Sequence, residues 1–263
     1  MSPSSQRCNA ERFDTGFSLI ELLVVMGIVV VLLVLVVPSV NSIKSNEFAK
    51  AMYDIASTLE MARAYAVANH TYTWVGIGEF DETVSPGATP QVSGTGRVAI
   101  AVVASRDGTR GYDVLNTSLS SPPWSDVKGA MMIPVGKALY FDNLHMAPSQ
   151  DSIPNSGNLA RPILTSGSYI LGNTASSYCV TQFAWPLGVA VTNSSSAKYV
   201  FQKVINFDSS GVARIQFGNN LDEITTYIEI GLLPIRGNRK STSGNMAAIL
   251  INGMTGRTRL YRP

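Results

Sequence analysis

Hydrophobic and polar positions follow three different patterns along the chain. From Leu22 to Val37 no polar side chain interrupts, and only Ser18 and Glu21 break the run that begins at Phe17. Such a run predicts a helix of roughly 32 Å, enough to cross a bilayer core, since helices satisfy their own backbone in lipid. After Pro38 the apolar positions Phe48, Met52, Ile55, Leu59, Ala62 and Ala66 recur every three or four residues, with Glu47, Lys50, Asp54 and Ser57 off that line. That is one stripe of an amphipathic helix reaching about Asn69. A coiled-coil seam is the plain alternative, but the stripe is short for one. Pro38 lacks an amide donor and marks a place for a kink.

From Thr71 the period drops to two, which predicts strands over 71–77, 98–104, 130–133, 138–141, 163–171, 199–207, 213–217, 225–233, 247–251 and 257–261. Asp208-Ser209-Ser210-Gly211 marks one hairpin turn, and Asn252-Gly253 with Gly256 marks another. The turn-rich stretches 81–96, 116–129 and 143–167 read as long loops. A helix followed by antiparallel strands predicts the α+β class: a long N-terminal helix, its first half membrane-spanning, packed by its second half on an antiparallel β-sheet domain.

Composition adds little to this picture and charge adds more. Charged residues make up only 14%, and the balance of 20 basic against 18 acidic residues, 20 − 18 = +2, is no polyelectrolyte. Residues 231–263, however, carry Arg236, Arg239, Lys240, Arg257, Arg259 and Arg262 and no acid. Cys8 precedes the apolar run and Cys179 follows it, which argues against a disulfide. Two histidines, His70 and His145, offer no zinc set, and no Gly-x-Ser-x-Gly elbow or nucleotide fingerprint is present. Asp81-Glu82 and Asp222-Glu223 lack the spaced oxygens of a calcium loop. The expectation is a non-enzymatic protein with no catalytic residue, metal or cofactor.

Glu21 changes the meaning of the apolar run. A carboxylate inside such a helix is costly and needs a partner, and no basic residue lies close downstream. A free α-amino group made by cleavage before Phe17, offered by a neighbouring subunit, would serve. The stretch from Gly16 through Phe17, Ser18, Leu19, Ile20 and Glu21 to Val25 resembles the prepilin signal of type IV pilins and type II secretion pseudopilins. The resemblance implies a leader over 1–16 removed by prepilin peptidase after Gly16, N-methylation of Phe17, and assembly roles for Glu21 and for Pro38, which falls at the family's proline position. It further implies a filament-core or transmembrane helix over 17–40, its amphipathic continuation over 41–70, and a β-rich head over 71–263. The partners implied are prepilin peptidase, other pilins through the N-terminal helix, and a membrane. The location implied is the bacterial cytoplasmic (inner) membrane, single-pass, with the C-terminal domain periplasmic. Two features depart from the family: the leader is long with cancelling charges, and Val30 stands where a glycine is common.

Two weaker matches point to one branch. The segment from Ala62-Arg63 to Asn69 resembles the helix end of GspH/FimT-type minor pseudopilins and minor pilins, and Ile205 to Gly211 resembles their Phe-x-x-x-Gly hairpin. Residues 81–196 match nothing of that kind. The function implied is that of a structural subunit of a type II secretion or type IV pilus-like filament. An alternative comes from Gly256-Arg257-Thr258-Arg259. On a strand Arg257 and Arg259 face the same way, and with Arg262 they would neutralise nucleic-acid phosphates. That ending resembles the DNA-contacting tail of FimT-type minor pilins in DNA uptake. The plain reading is a solvated edge strand whose charges discourage pairing. A membrane-anchored exported enzyme is the third reading, for which no polar constellation speaks.

Overall fold

The computed structural model describes residues 18–108, 132–147, 153–162, 169–172, 183–187, 195–215, 223–236, 239–240 and 245–262, with the backbone alone at 33–45, 223–224, 236 and 239–240. The chain divides into two compact units, residues 1–46 and 47–263. The first unit holds the start of the helix α1 (Leu19–Ala68). Its apolar side chains from Leu19 to Leu32 are exposed all round.

In the second unit the remainder of α1, from Glu47, lays its stripe inward. Phe48, Met52, Ile55, Leu59, Ala62 and Ala66 are all buried. They meet Val75 and Ile77 of β1 (Thr73–Asp81), Val98, Ile100 and Val102 of β2 (Gly96–Ser105), and Ile205 and Phe207 of β9 (Lys203–Phe207). The same core takes Ile228, Ile230 and Leu232 of β12 (Tyr227–Arg236) and Ala247, Ile249 and Ile251 of β14 (Ala247–Asn252). One helix thus shares a core with the inner faces of two sheets. Each fully buried Leu or Ile there contributes about 1.5–3 kcal/mol of transfer free energy.

The first sheet is seven-stranded, in the order β11 (Glu223–Ile224), β10 (Ala213–Ile215), β9, β1, β2, β3 (Met132–Pro134), with β4 (Leu139–Asp142) also on β2. β3 and β4 divide the free edge of β2 between them, β3 at Val103–Ser105 and β4 at Arg97–Ile100. The second sheet has six strands. It runs β13 (Arg239–Lys240), β12, β14, β15 (Thr258–Tyr261), and β12 also takes β5 (Leu144–Met146) and, in parallel, β6 (Tyr169–Ile170). A two-stranded ladder, β7 (Phe183–Trp185) with β8 (Tyr199–Phe201), covers the outer face of the first sheet over Trp74, Ala99, Ala101 and Val103. The strap 153–162 covers the outer face of the second through Ile153 and Leu159.

The expected architecture is corrected on several points. Among the described residues no helix is long and apolar enough to cross a membrane. The membrane-spanning first half, the transmembrane character and the single-pass inner-membrane location are therefore withdrawn. The pilin-like class, a long helix on one antiparallel sheet, gives way to a strand-dominated molecule. Among the described residues there are two helical elements, α1 and a 3₁₀ turn at Gly157–Leu159, against fifteen strands in three sheets, one pairing of which is parallel. The division at Asn46/Glu47 leaves the β unit only Glu47–Ala68 of the helix. The segment 143–167, expected to be a loop, supplies β5 and the whole strap 153–162, while 116–129 lies outside the described residues.

Candidate functional sites at the two ends of the chain

Gly16 and Phe17 lie outside the described residues, and Pro38 is described as helical backbone only. Glu21 is in the first turn of α1, where Glu21 N–H and Leu22 N–H both donate to the Ser18 carbonyl, at 3.0 and 3.1 Å. A carboxylate there is favoured by the helix dipole. Its side chain is exposed, and among the described residues it has no ion-pair partner. Around it Leu19 is 81% and Leu23 66% exposed. The segment joins one acid to a fully uncovered apolar helix surface, which in water is a surface awaiting cover.

The C-terminal arginines sit at the edge of the six-stranded sheet, because among the described residues β15 pairs only with β14. Strand alternation turns Thr258 and Leu260 one way and Arg257, Arg259 and Tyr261 the other. Leu260 packs on the helix-side core and Tyr261 on the outer one. Arg257, Arg259 and Tyr261 line a groove of about 290 Å³ with Tyr227, Leu250 and Pro162. Among the described residues no carboxylate lines it. Arg262 goes elsewhere, its guanidinium 5.7 Å from the centre of the Tyr53 ring on α1. Arg239 and Lys240 are on β13, which pairs with the far end of β12 at Ile235 and Arg236. The structure therefore brings two of the predicted arginines together and separates the rest. Tyr227 had no local signal in the sequence, because cross-strand register alone brings it to the groove; it lies opposite Asn252.

The groove's floor is fixed by the turn beneath it. Asn252 Oδ1 accepts from Thr255 N–H and Oγ1, and Gly256 N–H donates to the Asn252 carbonyl at 2.7 Å. Gly256 has φ +62°, and a Cβ there would meet the Gly211 carbonyl oxygen at 2.1 Å and Arg63 Cδ at 2.9 Å. Arg63 Nε donates to the Thr255 carbonyl at 2.7 Å, and Ala213 N–H to the Gly253 carbonyl at 2.8 Å. The helix end bearing Ala62-Arg63, the hairpin ending in Gly211 and the Gly256-Arg257 turn thus converge at one junction, although they are far apart in sequence.

Other polar groups are absorbed by the fold. His145, expected in a loop, is on β5 and fully buried, its Nδ1 2.7 Å from Glu79 Oε1. Glu79 also accepts from Gly96 N–H and Met146 N–H, so one carboxylate ties the two sheets together. Arg161 forks onto Glu229 at 2.6 and 2.8 Å and pins the strap to β12. Asp81 is used by its own turn: the Thr83 hydroxyl and N–H hold its carboxyl below the usual range. Among the described residues no three His, Cys, Asp or Glu side chains form a group able to hold a metal.

Compared with known proteins, the chain matches no family model. No curated protein matches it either, and no solved structure does.

Proposed function

We propose that this chain is a structural subunit, a minor pseudopilin or minor pilin, of a type II secretion or type IV pilus-like filament, and not an enzyme. Prepilin peptidase cuts after Gly16, and the new Phe17 amine of one subunit pairs with Glu21 of its neighbour. The observation that carries this reading is the apolar helix surface from Leu19 to Leu32, exposed on every side with one acid in its first turn. Burying it against like helices of other subunits removes apolar area from water at about 25 cal/mol per Å². A Coulombic pair inside that packed, low-dielectric bundle fixes the register. The reading rests on this segment and not on the fold class. Its test is co-purification with the other filament subunits. Glu21→Val is cleaved but does not co-purify, whereas a Gly16 substitution keeps the leader, seen by intact mass. A Glu21→Val chain that co-purifies normally sinks the pairing.

A second reading is favoured by the C-terminal groove, where Arg257 and Arg259 stand beside Tyr227 and Tyr261. Cations beside aromatic rings suit a single-stranded nucleic acid. The full chain then binds an oligonucleotide with strong salt dependence, and Arg257→Ala with Arg259→Ala reduces the slope of log affinity against log salt by about 1.4–1.8. An unchanged slope removes this reading.

A further inference from the structure

A second concavity, unrelated to either end of the chain, lies where the β3–β4 connection meets the β7–β8 ladder. It measures about 280 Å³ and is walled by Tyr140, Trp185, Tyr199 and Ala138, with Lys137 and Lys198 at its rim. No acid lines it, and neither lysine has a carboxylate partner among the described residues. Lys198 Nζ instead stands over two rings, 5.5 Å from the centre of Tyr199 and 6.0 Å from that of Tyr140. The site is held from below. Lys198 N–H donates to the Trp185 carbonyl at 2.8 Å, and its own carbonyl accepts from Gln91 N–H at 2.8 Å. Arg97, fully buried, sits 5.7 Å from the Tyr140 ring centre and is itself gripped by Asp142, the Gln91 side chain and the Val84 carbonyl. The Tyr199 hydroxyl is buried without a partner among the described residues, and burial pushes that phenol up, so it stays neutral.

We infer that this pocket binds an acidic sugar residue, a uronate within an anionic polysaccharide. Two unpaired ammonium groups in a concavity without acids select an anion. The volume, at the small end of ligand sites, suits one ring-sized body. The faces of Tyr140 and Tyr199 already carry cations, and Trp185 offers the aromatic surface that remains for the apolar face of a pyranose ring. A nucleic-acid track would need free ring faces for successive bases, whereas here Trp185 alone among the lining rings carries no cation.

The test is calorimetric titration of the full chain, kept in solution with detergent, with tri-galacturonate, neutral galactotriose and a short oligothymidine. Tri-galacturonate binds saturably, and galactotriose at least about tenfold more weakly, the loss expected for one charge-assisted contact. Lys198→Gln weakens tri-galacturonate by about tenfold, while Arg257→Ala with Arg259→Ala leaves it unchanged. Among the described residues Lys198 Nζ stands only over ring faces, so this variant keeps the fold even if a Trp185→Leu chain does not. Absence of saturable binding, equal binding of the neutral sugar, no effect of Lys198→Gln, or tighter Lys198-dependent binding of the oligothymidine each overturns the assignment. Failure here leaves the filament reading untouched, since the pocket and the N-terminal helix share no residue.

Discussion

Asp208 shows how one side chain can decide a turn. Its Oδ1 accepts from the Ser210 hydroxyl at 2.6 Å, Ser210 N–H at 2.9 Å and Val212 N–H at 3.0 Å, and its Oδ2 accepts from Arg214 at 3.2 Å. Burial alone would raise this carboxyl, but the bonds from Ser210, Val212 and Arg214 outweigh it and hold it below the usual range. A depressed folded value means that the stabilisation is present above the unfolded value of about 3.9 and is lost as pH falls through the folded one. Asp208→Asn therefore costs about 1–2 kcal/mol at pH 7 in urea denaturation. The difference from the parent shrinks as pH falls below about 5. A cost independent of pH would show that the charge is not what matters. The Asp-Ser-Ser-Gly run made this turn legible from sequence. The Glu79–His145 pair was not, because the two residues are far apart in the chain and His145 sits in a stretch that reads as loop.

Among elements, what could be read depended on length. The helical stripe from Phe48 to Ala66 repeats often enough to reveal its period, and all six positions are buried. The ten-residue strands β2 and β12 carry long apolar runs. β5 and β7 have three residues each, too few for alternation to register, and they form because longer strands offer them an edge or a face. The junction of Arg63, Gly211 and Gly256 likewise depends on tertiary approach. Gly256→Ala meets both a left-handed backbone and a carbonyl at 2.1 Å, and is expected to lower stability by about 2–4 kcal/mol. Gly136→Ala is the control: its φ is +80° but nothing lies within 4 Å of a Cβ there, so it costs about 1–2 kcal/mol. Equal midpoint shifts in thermal melts of the two variants would show that the junction is not tightly packed.

At the scale of the whole molecule, two units pose different physical problems. Among the described residues the unit 47–263 covers its own apolar faces, with a buried helix stripe, a forked Arg161–Glu229 pair and an Arg97–Asp142 ion pair. The first unit does not, because its described apolar side chains face outward. The sequence marked that segment clearly, since composition alone shows it. The membrane span expected there is overturned, because among the described residues no helix is long and apolar enough to cross a membrane. In the proposed filament, other subunits cover this surface and Glu21 sets the pairing. The direct measurement is the amount of this chain in a sheared filament fraction, parent against Glu21→Ala, with intact mass to confirm cleavage after Gly16. The Glu21→Ala chain is expected to be cleaved and missing from the filament fraction. A cleaved Glu21→Ala chain present there at the parent's level would contradict it.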